Sequence, residues 1–189
     1  GVRHIVVSPG SRSQALALAA DALAKSGLRP VRLHVVIDER SAAFFGLGLA
    51  IQTLQPTVLI CTSGSAPAHY LPALLEAKHS GLPLIAVTAD RPEELQGVGA
   101  NQTTTQAGMF GSATHSVFDV ATPIPSPSLH TDARQLAAKA LYSALSGASG
   151  GRSGAVQVNV GFREPLSAPI TEGDIEEVLS EALPRNESL

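Results

Sequence analysis

Tryptophan is absent, and only 4% of the 189 residues are aromatic. The core must therefore be filled by Val, Leu, Ile and Ala, the usual material of parallel sheets covered by helices. Cysteine occurs once, at Cys61, which excludes an internal disulfide framework and a Cys-based zinc site. Its place in the apolar run TVLIC marks it as a small buried hydrophobe rather than a nucleophile. No apolar run approaches the roughly 18 residues of a membrane span. No secretory signal is read either, so a cytoplasmic location is expected. An excess of one charge is also missing. The net charge of −3, from 13 basic and 16 acidic residues, provides no basic stripe for nucleic acid. The chain has no GxxxxGK[ST] phosphate loop and no GxSxG elbow. Its six histidines show no HExxH or paired metal spacing, so no metal ligand is assigned to it.

What is present is an alternation of short β-branched runs and alanine-rich stretches. His4 to Val7 reads as a buried strand, and Gln14 to Lys25 as a helix ending near Gly27. Leu33 to Ile37 reads as a second strand, with a helix from Ser41 onward. Thr57 to Cys61 is a third strand. Ala66 to Ser80 is a helix that Pro72 bends or restarts, with Gly81 past its end. Leu84 to Thr88 and Val117 to Val120 follow as strands. Asp132 to Leu145 is a helix capped by Thr131 or Asp132, and Ala155 to Val160 is the last strand. Gly46 and Gly48 follow helix formers rather than a strand and are read as close-packing positions, not a dinucleotide fingerprint. Parallel strands need crossover connections, and helices supply them. The expected fold is α/β, a doubly wound, mostly parallel sheet flanked by helices. Residues 1–163 are expected to form the domain. Residues 164–189, acidic and poor in apolar groups, are expected to form a linker, with one short helix at most.

Polar clusters stand at four strand ends: Ser11-Arg12, Asp38-Glu39-Arg40, Thr62-Ser63-Gly64 and Asp90-Arg91. Each alone is compatible with ordinary caps and ion pairs. Four together should converge on one rim, because ligands of open parallel sheets bind outside the carboxyl ends of the strands. Two arginines there match carboxylates or phosphates through paired N–H donors. Glu39 is the candidate catalytic carboxylate, and Arg40 is read as structural, paired with Asp38. The stretch Glu93 to Gly111 lacks a period and is rich in Gly and amides. It is read as a functional loop and as the expected mobile part.

Five segments carry a resemblance: SPGSRS (Ser8–Ser13), HVVIDERSAAFFGLGLA (His34–Ala50), CTSGSA (Cys61–Ala66), HSGLPLIAVTADRPEELQGVGANQT (His79–Thr103) and QAGMFG (Gln106–Gly111). Together they resemble the amino-terminal, pyrimidine-binding domain of the 2-succinyl-5-enolpyruvyl-6-hydroxy-3-cyclohexene-1-carboxylate (SEPHCHC) synthase family. These are the thiamine diphosphate enzymes of menaquinone biosynthesis. The likeness runs to about Gly161. ADRP followed by GANQT separates it from acetolactate synthases and pyruvate decarboxylases, which share the strand-end Glu and the fold. Ser65 departs from the family's usual Thr. The GDG…N magnesium motif is absent, and Glu172-Gly173-Asp174-Ile175 is no substitute.

The resemblance implies that Glu39 hydrogen-bonds N1′ of the cofactor's aminopyrimidine and passes a proton there. It implies decarboxylation of 2-oxoglutarate and addition of a succinyl carbanion equivalent to isochorismate. Arg12 and Arg91 would meet the carboxylates of isochorismate, with Ser11, Asn101 and Gln102 supplying neutral hydrogen bonds. Pro9 and Thr62 would touch the pyrimidine ring. Magnesium or manganese and the diphosphate would be bound by a further domain. The site would be shared between subunits of a homodimer or homotetramer, so this chain alone is expected to be inactive. Two rivals remain. One is another thiamine diphosphate-dependent 2-oxo acid decarboxylase, and the other is a non-catalytic α/β binding module.

Overall fold

The structure is a computed structural model that describes residues 1–27, 29–147, 151–166 and 173. Among the described residues, six strands form one sheet: β1 His4–Val7, β2 Arg32–Val35, β3 Thr57–Cys61, β4 Leu84–Asp90, β5 Thr114–Val120 and β6 Ala155–Gly161. Their order is β2-β1-β3-β4-β6-β5, and every pairing is parallel. The helices are α1 Gln14–Lys25, α2 Glu39–Thr53, α3 Leu71–Ser80 and α4 Leu129–Ser146.

Side chains alternate across the sheet because successive strand residues point to opposite faces. Val6, Leu59, Cys61, Leu84 and Ala86 pack with α2 and α3 on one face. Ile5, Val7 and Ile60 meet α1 on the other, and Ile85, Val156 and Val158 meet α4 there. The result is the doubly wound arrangement that the alternation of patterns implies. The chain leaves β1 for β2 on one side and then returns to place β3 on the other side of β1. The connections therefore diverge between β1 and β3, and a crevice opens at that point on the carboxyl rim.

Several boundaries differ from the sequence reading, each for a local reason. β2 ends at Val35 rather than Ile37, and as an edge strand it leaves Val35 and Ile37 exposed. α2 begins at Glu39, two residues earlier than Ser41. Asp38 is its N-cap, and the Asp38 carboxylate accepts the Ser41 N–H at 2.7 Å. Asp38 thus serves the helix end, which displaces a simple pairing with Arg40 as its main role. The Ala66–Ser80 helix divides into a 3-10 turn, Ala66–Tyr70, and α3, with Pro72 in the first turn of α3. Gly81 closes α3 at φ +69°, a left-handed conformation suited to glycine. α4 starts at Leu129 with Ser128 in the cap position, so neither Thr131 nor Asp132 caps it. β4 reaches Asp90, β5 starts at Thr114, and β6 reaches Gly161, each longer than its apolar run. The expected tail helix falls on 167–172 and 174–189, outside the described residues.

Of the two helix glycines, only Gly46 serves close packing. A Cβ there would lie 2.4 Å from Leu59 Cδ2, whereas Gly48 faces open space. Leu59 is fully buried between that glycine and the rest of the α2–α3 face. Leu59→Ala should destabilise the domain by about 2–5 kcal/mol, because a cavity is left where neighbours cannot close in. Urea unfolding followed by circular dichroism measures this, and a loss well under 1 kcal/mol would contradict the packing described.

Candidate active site

Each polar cluster sits just beyond a strand because the strand's apolar run ends there, and the parallel sheet brings those ends to one rim. Ser8, the first residue after β1, donates its N–H to Ile60 O at 2.8 Å and its hydroxyl to Val36 O at 2.9 Å. This clamps the ends of β1, β2 and β3 together. Gly10 follows, with its Cα against Thr62. A Cβ on residue 10 would stand 2.4 Å from Thr62 Cβ, so glycine is required where the loops after β1 and β3 touch.

A cleft of about 320 Å³ opens beside this contact, lined by Gly10, Ser11, Arg12, Thr62, Arg91, Gln102, Glu164 and Leu166. It brings together five of the expected residues: Ser11, Arg12, Thr62, Arg91 and Gln102. Arg12 is 5% exposed. Its Nη1 donates to Phe162 O at 2.8 Å and its Nη2 to Glu164 Oε1 at 3.4 Å. Arg12 Nε is buried with no partner among the described residues. Arg91 Nη1 donates to Ser63 Oγ. Burial lowers the Arg91 pKa, and the nearby charge of Arg12 lowers it further, against the opposing pull of Asp90 and Glu164. The two arginines therefore share one electrostatic neighbourhood, which an anion would relieve. Gln102 Nε2 donates to Ser63 O at 2.9 Å. Its backbone is left-handed at φ +55°, uncommon for a residue with a Cβ and costing about 1–2 kcal/mol. Strain of this kind clusters at ligand sites.

Pro9, Glu39 and Asn101 do not line this cleft. Pro9 and Asn101 are exposed, and the Asn101 carbonyl accepts from Thr103 Oγ1 at 3.3 Å. Glu39 is half-buried on the same rim, in the first turn of α2. Its charge adds to the burial that raises the Cys61 thiol and the Tyr70 hydroxyl. Glu39 is not sunk in the apolar interior. It makes no hydrogen bond or ion pair among the described residues, so its oxygens are free for an external donor. A second hollow of about 560 Å³ lies on the far side of Arg91, its walls including Asp90, Glu93, Asp119 and Asn159. Those carboxylates give it the wrong sign for an acidic ligand, which favours the smaller cleft.

Residues 1–111 match the family described as "Thiamine pyrophosphate enzyme, N-terminal TPP binding domain". The chain belongs to this family. Among curated relatives of this TPP-binding domain are SEPHCHC synthases of Dechloromonas aromatica, 49% identical over 95% of the chain, and Roseiflexus castenholzii, 45% identical over 99%. The enzyme of that name from Myxococcus xanthus is 49% identical over 91% of the chain. The chain spans 32%, 31% and 28% of those three proteins respectively. Among solved structures, benzoylformate decarboxylase from Polynucleobacter necessarius superposes with a TM-score of 0.64 over 90% of this chain and 30% of its own. At 15% identity it supports the fold alone. Among the described residues, no helix is long and apolar enough to cross a membrane, and no cluster of His, Cys, Asp or Glu could hold a metal ion.

The TPP-binding domain also contains polar groups that the sequence reading passed over. Gln106, Gln157, Asn159 and Thr88 are almost fully buried beside the cleft. A signal was available: AVQVNV places two amides at alternate positions of an otherwise apolar strand, so both point to one face. Buried amides need partners, and such a pair implies a network.

Cys61 behaves as its apolar setting requires. Burial pushes its thiol up to about 12, the Tyr70 hydroxyl pulls it down, and Glu39 adds to the rise. The unfolded thiol ionises near pH 8.5, so this site favours folding below that pH. The contribution declines as pH rises from there toward 12 and is exhausted above it. At pH 8 a disulfide reagent should leave the native thiol unmodified and titrate one thiol after denaturation. Rapid native labelling would show that Cys61 is exposed and ionisable.

Proposed function

We propose that the chain is the pyrimidine-binding part of a SEPHCHC synthase, which joins a decarboxylated 2-oxoglutarate unit to isochorismate in menaquinone biosynthesis. The observation that carries this reading is the cleft holding Arg12 and Arg91 together with Ser11 and Gln102. Isochorismate presents two carboxylates, and the paired guanidinium groups supply matching donors and charge. A simple 2-oxo acid decarboxylase has no second substrate that needs such a cleft. A non-catalytic module has no use for an unpaired carboxylate on the rim.

Glu39 fits thiamine diphosphate as the partner of the pyrimidine ring, being half-buried, on the rim and free of internal hydrogen bonds. When bound, the cofactor supplies the electron sink that makes loss of carbon dioxide from a 2-oxo acid feasible. Glu39 holds and passes a proton at the ring nitrogen, which only a carboxyl group at a fixed position does well. Pro9 and Thr62 flank the same ring. Thr62 lines the cleft, so it would hold the ring beside the acceptor substrate. Ser11 and Asn101 offer neutral hydrogen bonds toward isochorismate. The diphosphate and its magnesium or manganese ion would be held by a further part of the assembly. A site divided in this way requires a homodimer or homotetramer and leaves this chain inactive by itself. Residues 164–189 lead from the domain toward the remainder. The activity belongs to the transferases, and its location is the cytoplasm.

In the full-length enzyme, Glu39→Gln should lower the turnover rate by about 10²–10⁴-fold, the range for loss of a positioned proton-transfer group. The melting temperature should hold, since Glu39 makes no internal bond. Steady-state assays beside thermal melts decide this, and normal turnover by the variant would remove the assigned role. Arg91→Ala should raise the KM for isochorismate by about tenfold or more, the loss expected of a charged hydrogen bond. An effect confined to 2-oxoglutarate would instead move Arg91 to the donor substrate.

A further inference from the structure

Beside the cleft, in the wall of the larger hollow, lies a continuous set of buried amide contacts centred on Gln106, which is 1% exposed. Gln106 Oε1 accepts the Gly64 N–H at 2.6 Å. Its Nε2 donates to Ala89 O at 3.0 Å and to Asn159 Oδ1 at 3.1 Å. One side chain therefore joins the loop after β3, the end of β4 and the middle of β6. Gln157 holds the backbone of the same loop: its Nε2 donates to Gln106 O at 2.8 Å, and its Oε1 accepts the Gly108 N–H at 3.0 Å. Asn159 carries the chain of contacts onward, its Nδ2 donating to Asp90 Oδ2 and to Asp119 Oδ1, both at 2.9 Å. Asp90 in turn accepts the Arg91 N–H through Oδ1 at 2.7 Å.

This network borders the cleft at three points. Gly64 follows Ser63, whose hydroxyl and carbonyl receive Arg91 and Gln102 respectively. Ala89 and Asp90 precede Arg91. Gln106 lies four residues beyond Gln102 and anchors the carboxyl half of the loop that carries Asn101 and Gln102. At the loop's other end Gln96 Nε2 donates to Asp90 Oδ1 at 3.3 Å and to Arg91 O at 3.0 Å, and Gly97 to Gly99 between these anchors are exposed.

We infer that Gln106, with Gln157 behind it, is a positioning residue that sets the registry of Arg91, Ser63 and Gln102 for the acceptor substrate. The inference rests on the reading of the cleft as the isochorismate site. A buried amide of this kind has two effects on its surroundings. It pairs with the Gly64 N–H and the Ala89 carbonyl and shares Asn159 Oδ1 with the Thr88 hydroxyl, and it fixes the distance between the β3 loop and the 101–108 loop. The first effect is general stability; the second acts on the cleft and therefore on one substrate.

The test uses the full-length enzyme loaded with thiamine diphosphate and magnesium, and the variants Gln106→Met and Gln157→Met, which keep side-chain bulk and remove the hydrogen bonds. Amide hydrogen exchange is followed over residues 101–108, and isochorismate binding is measured by calorimetry alongside KM for each substrate. Faster exchange over 101–108 is expected in both variants. Isochorismate binding should weaken by about tenfold, equivalent to loss of one good hydrogen bond, while KM for 2-oxoglutarate changes far less. Faster exchange with isochorismate binding unchanged would overturn the positioning role and leave the proposed activity standing. Equal losses for both substrates would reduce Gln106 to a general structural group. Wild-type enzyme that does not bind isochorismate would overturn the reading of the cleft and this inference with it. If Gln106→Met does not fold, Gln157→Met alone decides, since it loosens the same loop from behind.

Discussion

Two like charges held in one small cleft set the terms for everything around them. The charge of Arg12 disfavours that of Arg91, so the free protein must compensate the pair without neutralising the site. It does so asymmetrically. Arg12 is sunk into the body of the domain and spends its Nη groups on Phe162 and Glu164. This ties the chain after β6 to the loop after β1. Arg91 remains more accessible and rests on Ser63. A doubly acidic ligand would replace the repulsion with paired hydrogen bonds.

The backbone arrangement makes the cleft possible. A parallel sheet whose connections diverge between β1 and β3 leaves a gap above those two strands. Gly10 lets the flanking loops meet at Thr62, so the gap is a narrow cleft rather than an open trough. On the outer side, α2 starts at Glu39, and the Asp38 cap fixes where that first turn stands. The carboxylate is therefore placed by a rigid helix start, not by a flexible loop. Beside the cleft, amides replace apolar side chains on β6. The exchange is costly unless every group is paired, since an unmade buried hydrogen bond costs about 1–3 kcal/mol. Here the amide groups of Gln106, Gln157 and Asn159 all find partners.

The TPP-binding fold itself is shared with proteins of very different sequence, as the 15% identity to a benzoylformate decarboxylase shows. The arginine after β4, the Asn-Gln pair at 101–102 and the glutamine that anchors their loop all lie outside the apolar framework. Fold and specificity thus occupy different residues of the same strand-and-loop units.

Much of this was legible in the chain alone. Among the described residues, apolar periodicity located every strand and α-helix, because burial on one face or two leaves a pattern that needs no knowledge of neighbours. The strand-end clusters named Ser11, Arg12, Thr62 and Arg91 before any contact was known, since strand ends of a parallel sheet must share a rim, whereas Gln102 came from the resemblance alone. Boundaries were less legible. Asp38 as a cap and Ser128 rather than Thr131 depend on where the helix meets its neighbours, which propensity does not record. The role of Gln106 was beyond the sequence entirely. Its partners lie 17, 42 and 53 residues away, and only tertiary packing decides which distant backbone groups a buried amide will satisfy.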